Sequence, residues 1–184
     1  MNKIAILGVS GVGKDYVVKT MVTKYGFNRI SFSDQLKKLA VKIYPWMKKD
    51  YPPEEKEKPL NIVVPKTGEL ISKTPREIWL SLNSLRNSED GLFVRMLQEE
   101  LLLLNVDSIV ISDVRTQNEY DWCKENGFTF VLIKTKTPIH RENGFDDFVR
   151  NIEKDGLYDH EFTNNFDGEN EIRSFIENYL VSVS

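Results

Sequence analysis

Lys3-Ile4-Ala5-Ile6-Leu7-Gly8-Val9-Ser10-Gly11-Val12-Gly13-Lys14-Asp15 is the stretch on which the fold turns. A short apolar run, residues 3–7, leads into G-x-x-x-x-G-K, the order of strand, glycine-rich turn and helix that makes a phosphate loop. Glycines at Gly8, Gly11 and Gly13 let backbone close on a polyphosphate without Cβ clashes. Main-chain N–H groups from Gly8 through Gly13, those of Ser10 and Val12 included, then point at the anion. Lys14 adds a mobile charge near the β- and γ-phosphates, and Asp15 and Tyr16 follow in the first turn of the helix. The implication is a nucleoside triphosphate site. Asp15 stands where Ser or Thr ordinarily offers a hydroxyl to Mg²⁺. A carboxylate there repels bare phosphate, so it implies a metal or water between them. The alternative is a carboxylate that merely suits a helix N-terminus.

Outward from the loop, apolar and amphipathic segments alternate. Residues 16–24 read as a helix with Val17, Val18 and Met21 inward, and 27–32 as a strand after the Gly26 stop. Ser33 or Asp34 then caps a helix carrying Leu36, Leu39, Ala40 and Ile43. Residues 45–75 hold six of the seven prolines around Glu54-Glu55-Lys56-Glu57-Lys58, which reads as a solvated arm. Thr74-Pro75-Arg76-Glu77 starts a helix over Ile78, Leu82 and Leu85, and a further helix spans 91–104. Residues 108–112 and 128–133 are short apolar strands of the buried parallel type, separated by a helix over 117–126. Residues 135–156 are polar and irregular, with a short helix expected near 145–152. A last strand at 161–163 precedes a helix over 169–181 with Ile172, Phe175, Ile176 and Tyr179 inward. The fold expected is α/β: a phosphate-loop, parallel sheet covered by helices on both faces, with an inserted acceptor-side arm at 45–75 and a lid segment at 135–156, all in one domain over 1–184.

A second cluster lies at the end of the strand 108–112. Asp113 sits at a carboxyl edge, where open α/β sheets bind ligands. Arg115 and Glu119, four residues apart, share one side of the next helix. Two carboxylates and a guanidinium aimed at one crevice suit a metal, a phosphate and an acceptor. Each also has a plainer reading, as a helix cap for Asp113 and as a surface ion pair for Arg115 and Glu119.

Composition narrows the classes. With 25 basic and 28 acidic residues the net charge is −3, and no basic stripe suggests sustained nucleic-acid binding. A single cysteine, Cys123, excludes a disulfide framework and suits a reducing compartment. No apolar run approaches a membrane span. A cytoplasmic protein is expected.

The chain resembles the phage-type deoxynucleoside monophosphate kinases, relatives of adenylate-kinase-like enzymes. The resemblance rests on the G-K-D loop, Phe32-Ser33-Asp34-Gln35-Leu36-Lys37, Thr74-Pro75-Arg76-Glu77, Phe93-Val94-Arg95, Ser112-Asp113-Val114-Arg115-Thr116-Gln117-Asn118-Glu119 and Asp159-His160-Glu161-Phe162-Thr163-Asn164. It implies transfer of the γ-phosphate of ATP to a (deoxy)nucleoside monophosphate, with Mg²⁺, in a host cytoplasm if the chain is of phage origin. It leaves a homodimer open. Lys14 and the loop would hold ATP with Arg141, as a lid arginine, and Asn164 at the last strand. Ser33, Asp34, Lys37 and Arg76 would line the acceptor pocket, Arg76 or Arg95 would grip the monophosphate, and Phe93 or Trp79 would stack on the base. Asp113 and Glu119, with Asp15, would organise Mg²⁺, and Arg115 would neutralise phosphate charge. Residues 45–75 depart from the family pattern, which puts the acceptor in question. Animal phosphomevalonate kinases share the G-K-D loop and a Ser-Asp-x-Arg segment, so that acceptor is the first alternative. A phosphate-loop ATPase or nucleotide switch is the second.

Overall fold

A computed structural model describes residues 2–85, 89, 91–136 and 146–180. In chain order the elements are β1 (Asn2–Leu7), α1 (Lys14–Tyr25), β2 (Asn28–Ile30), α2 (Phe32–Ile43), β3 (Ile62–Val63), β4 (Leu70–Ile71), α3 (Pro75–Asn83), α4 (Leu92–Leu103), β5 (Ser108–Ile111), α5 (Gln117–Glu125), β6 (Thr129–Lys134), α6 (Asp146–Asp155), β7 (His160–Thr163) and α7 (Glu169–Tyr179). They form two compact units, residues 1–32 with 97–184, and residues 33–96.

The first unit is built on a five-stranded parallel sheet in the order β2-β5-β1-β6-β7. Strand β1 is central, with Ile4 opposite Val110 on one side and Thr129 on the other. Its Ile4, Ala5, Ile6 and Leu7 are all buried, as are Val110 and Ile111 of β5 and Val131 and Leu132 of β6. Consecutive buried residues point to opposite faces, so both faces of the sheet are covered and the strands read as unbroken apolar runs. Val17, Val18 and Met21 of α1 and Ile172, Phe175 and Ile176 of α7 pack on one face with Ile6 and Val131. Gly26 ends α1 in the left-handed conformation, its N–H donating to the Met21 carbonyl. Tyr179, expected inward, is 59% exposed at the last turn of α7, its ring lying beside those of Phe175 and His160.

The second unit contains most of α2, the antiparallel pair β3–β4, α3 and the start of α4. Its core is small: Ala40, Met47 and Ile78, with Tyr44, Tyr51, Leu60, Trp79 and Leu82 packed around them. The stretch 45–75 is therefore more than the solvated arm expected from its prolines and charges. Its apolar residues Met47, Tyr51 and Leu60 find partners on α2 and α3, and Leu60 N–H donates to the Lys73 carbonyl beside the hairpin. Thr74 caps α3 with Glu77 as a reciprocal capping box, and Pro75 follows at the first helical position.

Candidate active site

Strand β1 runs out at Leu7 and α1 begins at Lys14, so residues 8–13 make the turn at the carboxyl edge of the central strand. The sequence of α/β strands puts ligands at this edge, where strand order diverges from β1 to β5 on one side and β6 on the other. Gly8, Gly11 and Gly13 have φ of 150°, 90° and 86°. Gly13 is doubly constrained, because a Cβ there would lie 2.2 Å from Asn164 Nδ2 and 3.2 Å from Phe166 Cε1. Only glycine accepts that conformation and that proximity together.

Asn164 follows β7 and is buried. Its Nδ2 donates to the Val12 carbonyl at 3.0 Å, and its Oδ1 accepts from Phe166 N–H at 3.0 Å. The residue expected to touch nucleotide thus braces the loop backbone. Tyr16 is 45% exposed, and Asp15 is exposed beside it in the first turn of α1.

Lys14 is folded back over its own loop. Its Nζ donates to the Gly8 carbonyl at 2.6 Å and to the Val9 carbonyl at 2.7 Å. Burial, and then the neighbouring positive charge of Arg115, lower its pKa from 10.5 to about 8, while Asp15, Asp146 and Asp113 act in the opposite sense. Lys14 therefore lies within electrostatic reach of one other cation and three carboxylates.

Asp113 is buried just past β5, and its Oδ1 accepts from Phe32 N–H, the first residue of α2, at 2.9 Å. Helix α2 begins at Phe32, so Ser33 and Asp34, expected to cap it, lie inside its first turn, and this carboxylate from beyond β5 accepts from its first N–H. Glu119 likewise holds backbone. It is buried, and its Oε2 accepts from Arg115 N–H at 2.8 Å and Thr116 N–H at 3.2 Å, while Thr116 Oγ1 accepts from Glu119 N–H at 3.4 Å. That is the capping box of α5, so one oxygen of its carboxylate fixes the backbone that carries Arg115.

In the second unit, Lys37 pairs with Asp50 at 2.8 Å and Asp34 at 3.7 Å and stands 5.5 Å over the Trp79 ring. Arg76 pairs with Glu57 at 2.8 Å, both half exposed, which ties α3 to the charged run. Arg95 pairs with Glu89. Ser33 is half-buried near the start of α2. Phe93 is 3% exposed, and Trp79 is partly exposed. Arg141 lies outside the described residues, as does the rest of 137–145. The later part of the expected lid is a regular helix, α6, anchored by buried Val149 and Ile152. Sequence reasoning gave no role to Asp146, at the start of α6, or to Phe166, whose ring lies against Gly13.

Loop, sheet and strand order together define an α/β protein with the phosphate-loop fold. Solved structures share it: a dephospho-CoA kinase from Campylobacter jejuni superposes with a TM-score of 0.56 at 14% identity, over 96% of this chain and 96% of that one. TT1252 from Thermus thermophilus does so with a TM-score of 0.53 at 16% identity over 100% of both chains. No family model and no curated protein matches the sequence. Identities this low establish the fold and nothing finer.

Proposed function

We propose that this chain is a nucleotide kinase that moves the γ-phosphoryl group of ATP to a nucleoside monophosphate, a deoxynucleotide by the sequence resemblance. The observation that carries the reading is Lys14 folded over its own loop, its Nζ on the Gly8 and Val9 carbonyls, with its pKa lowered to about 8 by burial and then by Arg115. Such a pair costs stability by itself and is relieved by a polyphosphate between the two cations. Phosphoryl transfer asks for this charge neutralisation and for alignment, with little covalent help from protein. Lys14 and the loop amides would hold the β- and γ-phosphates, and Arg115, with its backbone fixed by Glu119, would neutralise charge on the transferring group.

Among the described residues no three His, Cys, Asp or Glu side chains gather as a ready-made metal cage. Mg²⁺ keeps waters and nucleotide oxygens and takes only one or two carboxylates, so it would need no such cage. Asp15 and Asp113, both acting on Lys14, are the side chains best suited to it, while Glu119, expected with them, has its Oε2 engaged in the α5 cap. Bound Mg²⁺ would offset phosphate charge that Asp15 otherwise repels. For the acceptor, Arg76 supports a planar grip on the monophosphate, and Lys37 with Trp79 supports a face for the base, with Ser33 and Asp34 on the same helix as Lys37. Among the described residues no helix is long and apolar enough to cross a membrane.

A coupled ATP-consumption assay across the common dNMPs and NMPs tests the reading, with phosphomevalonate and dephospho-CoA as further acceptors. Turnover with one or more of the dNMPs is expected, and Arg76→Ala should raise KM for each alike. Turnover with phosphomevalonate or dephospho-CoA alone overturns the acceptor assignment. Acceptor-independent hydrolysis of ATP would favour the switch reading instead.

A further inference from the structure

The Ser10 N–H is one of the loop amides on which the phosphate-binding reading depends, and it already has a partner. Both oxygens of Asp146 accept from it, at 3.1 and 3.2 Å, across 136 residues of sequence. Asp146 is the first residue of α6 and is 6% exposed, while the neighbouring Asp147 is exposed. Val149 and Ile152 are buried and hold α6 in place, so the carboxylate is presented from an anchored helix rather than from a wandering loop. Its charge also reaches Lys14, whose protonated form it favours.

A buried carboxylate on a phosphate-loop amide, within electrostatic reach of the loop lysine, has the charge and acceptor oxygens of the ligand the loop is shaped to hold. A phosphate oxygen and a carboxylate cannot share one N–H donor, because their like charges repel in a poorly solvated site. We infer that Asp146 is an internal competitor for the anion position of the phosphate loop. Polyphosphate enters by displacing its carboxylate from Ser10 N–H, so Asp146 sets nucleotide affinity and couples loading of the loop to the first turn of α6. The inference rests on the phosphate-loop reading above.

Binding of inorganic pyrophosphate and of ATP to the full chain, by calorimetry with and without Mg²⁺, tests it with Asp146→Ala and Asp146→Asn. Asp146→Ala should bind pyrophosphate about tenfold tighter or more, and its urea midpoint without ligand should fall, since Ser10 N–H and Lys14 lose a partner. Asp146→Asn keeps an acceptor oxygen but no charge, so it should tighten binding while nearly keeping the midpoint. The tightening should persist without Mg²⁺. Unchanged or weaker binding in both variants, or weakening confined to Mg²⁺ conditions, overturns the competitor role and leaves the phosphate loop standing. No binding by wild type and by both variants would remove the phosphate-loop reading and this inference with it.

Discussion

Replacing Lys14 with Met isolates the electrostatic cost of the site. Met keeps most of the aliphatic stem and removes the ammonium that burial and Arg115 disfavour. The pKa of Lys14 is lowered in the folded protein, from 10.5 to about 8. Below pH 8 the group is charged in both states, and the fold bears the full penalty. Between pH 8 and 10.5 the unfolded chain holds the proton and the folded one releases it, so stability rises with pH. At about 1.4 kcal/mol per pH unit the whole effect is about 3 kcal/mol, of which about 2 kcal/mol falls between pH 7 and pH 10. Other lysines and tyrosines titrate there as well, so the quantity to read is the difference between wild type and Lys14→Met. Urea unfolding at pH 7, 8, 9 and 10 should show wild type gaining about 2 kcal/mol on the variant across that range. Saturating pyrophosphate should abolish the gain, because an anion on Lys14 restores its affinity for the proton. Arg115→Gln should move the window to higher pH by removing the repulsion. A difference that stays flat within about 0.5 kcal/mol from pH 7 to pH 10 would refute the claim that Lys14 is a strained cation.

Two further substitutions separate chemistry from capping. Asp113→Asn retains an oxygen for Phe32 N–H but loses its charge, so turnover should fall at least tenfold with stability changed by under about 0.5 kcal/mol, whereas Asp113→Ala should also cost about 1–2 kcal/mol. Full activity in Asp113→Asn would reduce Asp113 to a cap. Glu119→Ala should destabilise by about 1–2 kcal/mol and Glu119→Gln should restore most of that, with the Mg²⁺ requirement of turnover unmoved in both. A shifted Mg²⁺ requirement would return Glu119 to the metal.

The fold was legible in the sequence because its signals are local. A strand buried on both faces announces itself as Ile4-Ala5-Ile6-Leu7, and the loop glycines as a spacing. The capping box of α5 was legible too, since Thr116-Gln117-Asn118-Glu119 has the Ser/Thr-x-x-Glu form. Pairing Arg115 with Glu119 as neighbours on a helix face hid it, because the carboxylate turns back to the backbone instead of outward. The role of 45–75 was not legible, because proline and charge density describe its exposed residues and say nothing of Met47, Tyr51 and Leu60, whose partners lie elsewhere in the unit. Asp146 was beyond reach for the same reason: no spacing rule connects it to Ser10 across 136 residues.

These contacts share one physical pattern. Helices that start near the carboxyl edge of a parallel sheet direct unsatisfied N–H groups and positive dipole ends there, and each needs an anion or an acceptor. Asp113 serves the start of α2 and Glu119 the start of α5, each by accepting backbone N–H groups. The loop before α1 also receives a carboxylate, from Asp146, which accepts from Ser10 N–H and, like Asp113, acts on the charge of Lys14. Removing a carboxylate from α2 or α5 exposes orphaned donors and costs stability with nothing to replace it. Removing Asp146 from the α1 loop frees Ser10 N–H near Lys14, a donor and a cation that a polyphosphate would satisfy together. The same geometric demand therefore places a carboxylate at each of the three helix starts, and the one on Ser10 N–H is the one we infer gives way to a polyphosphate.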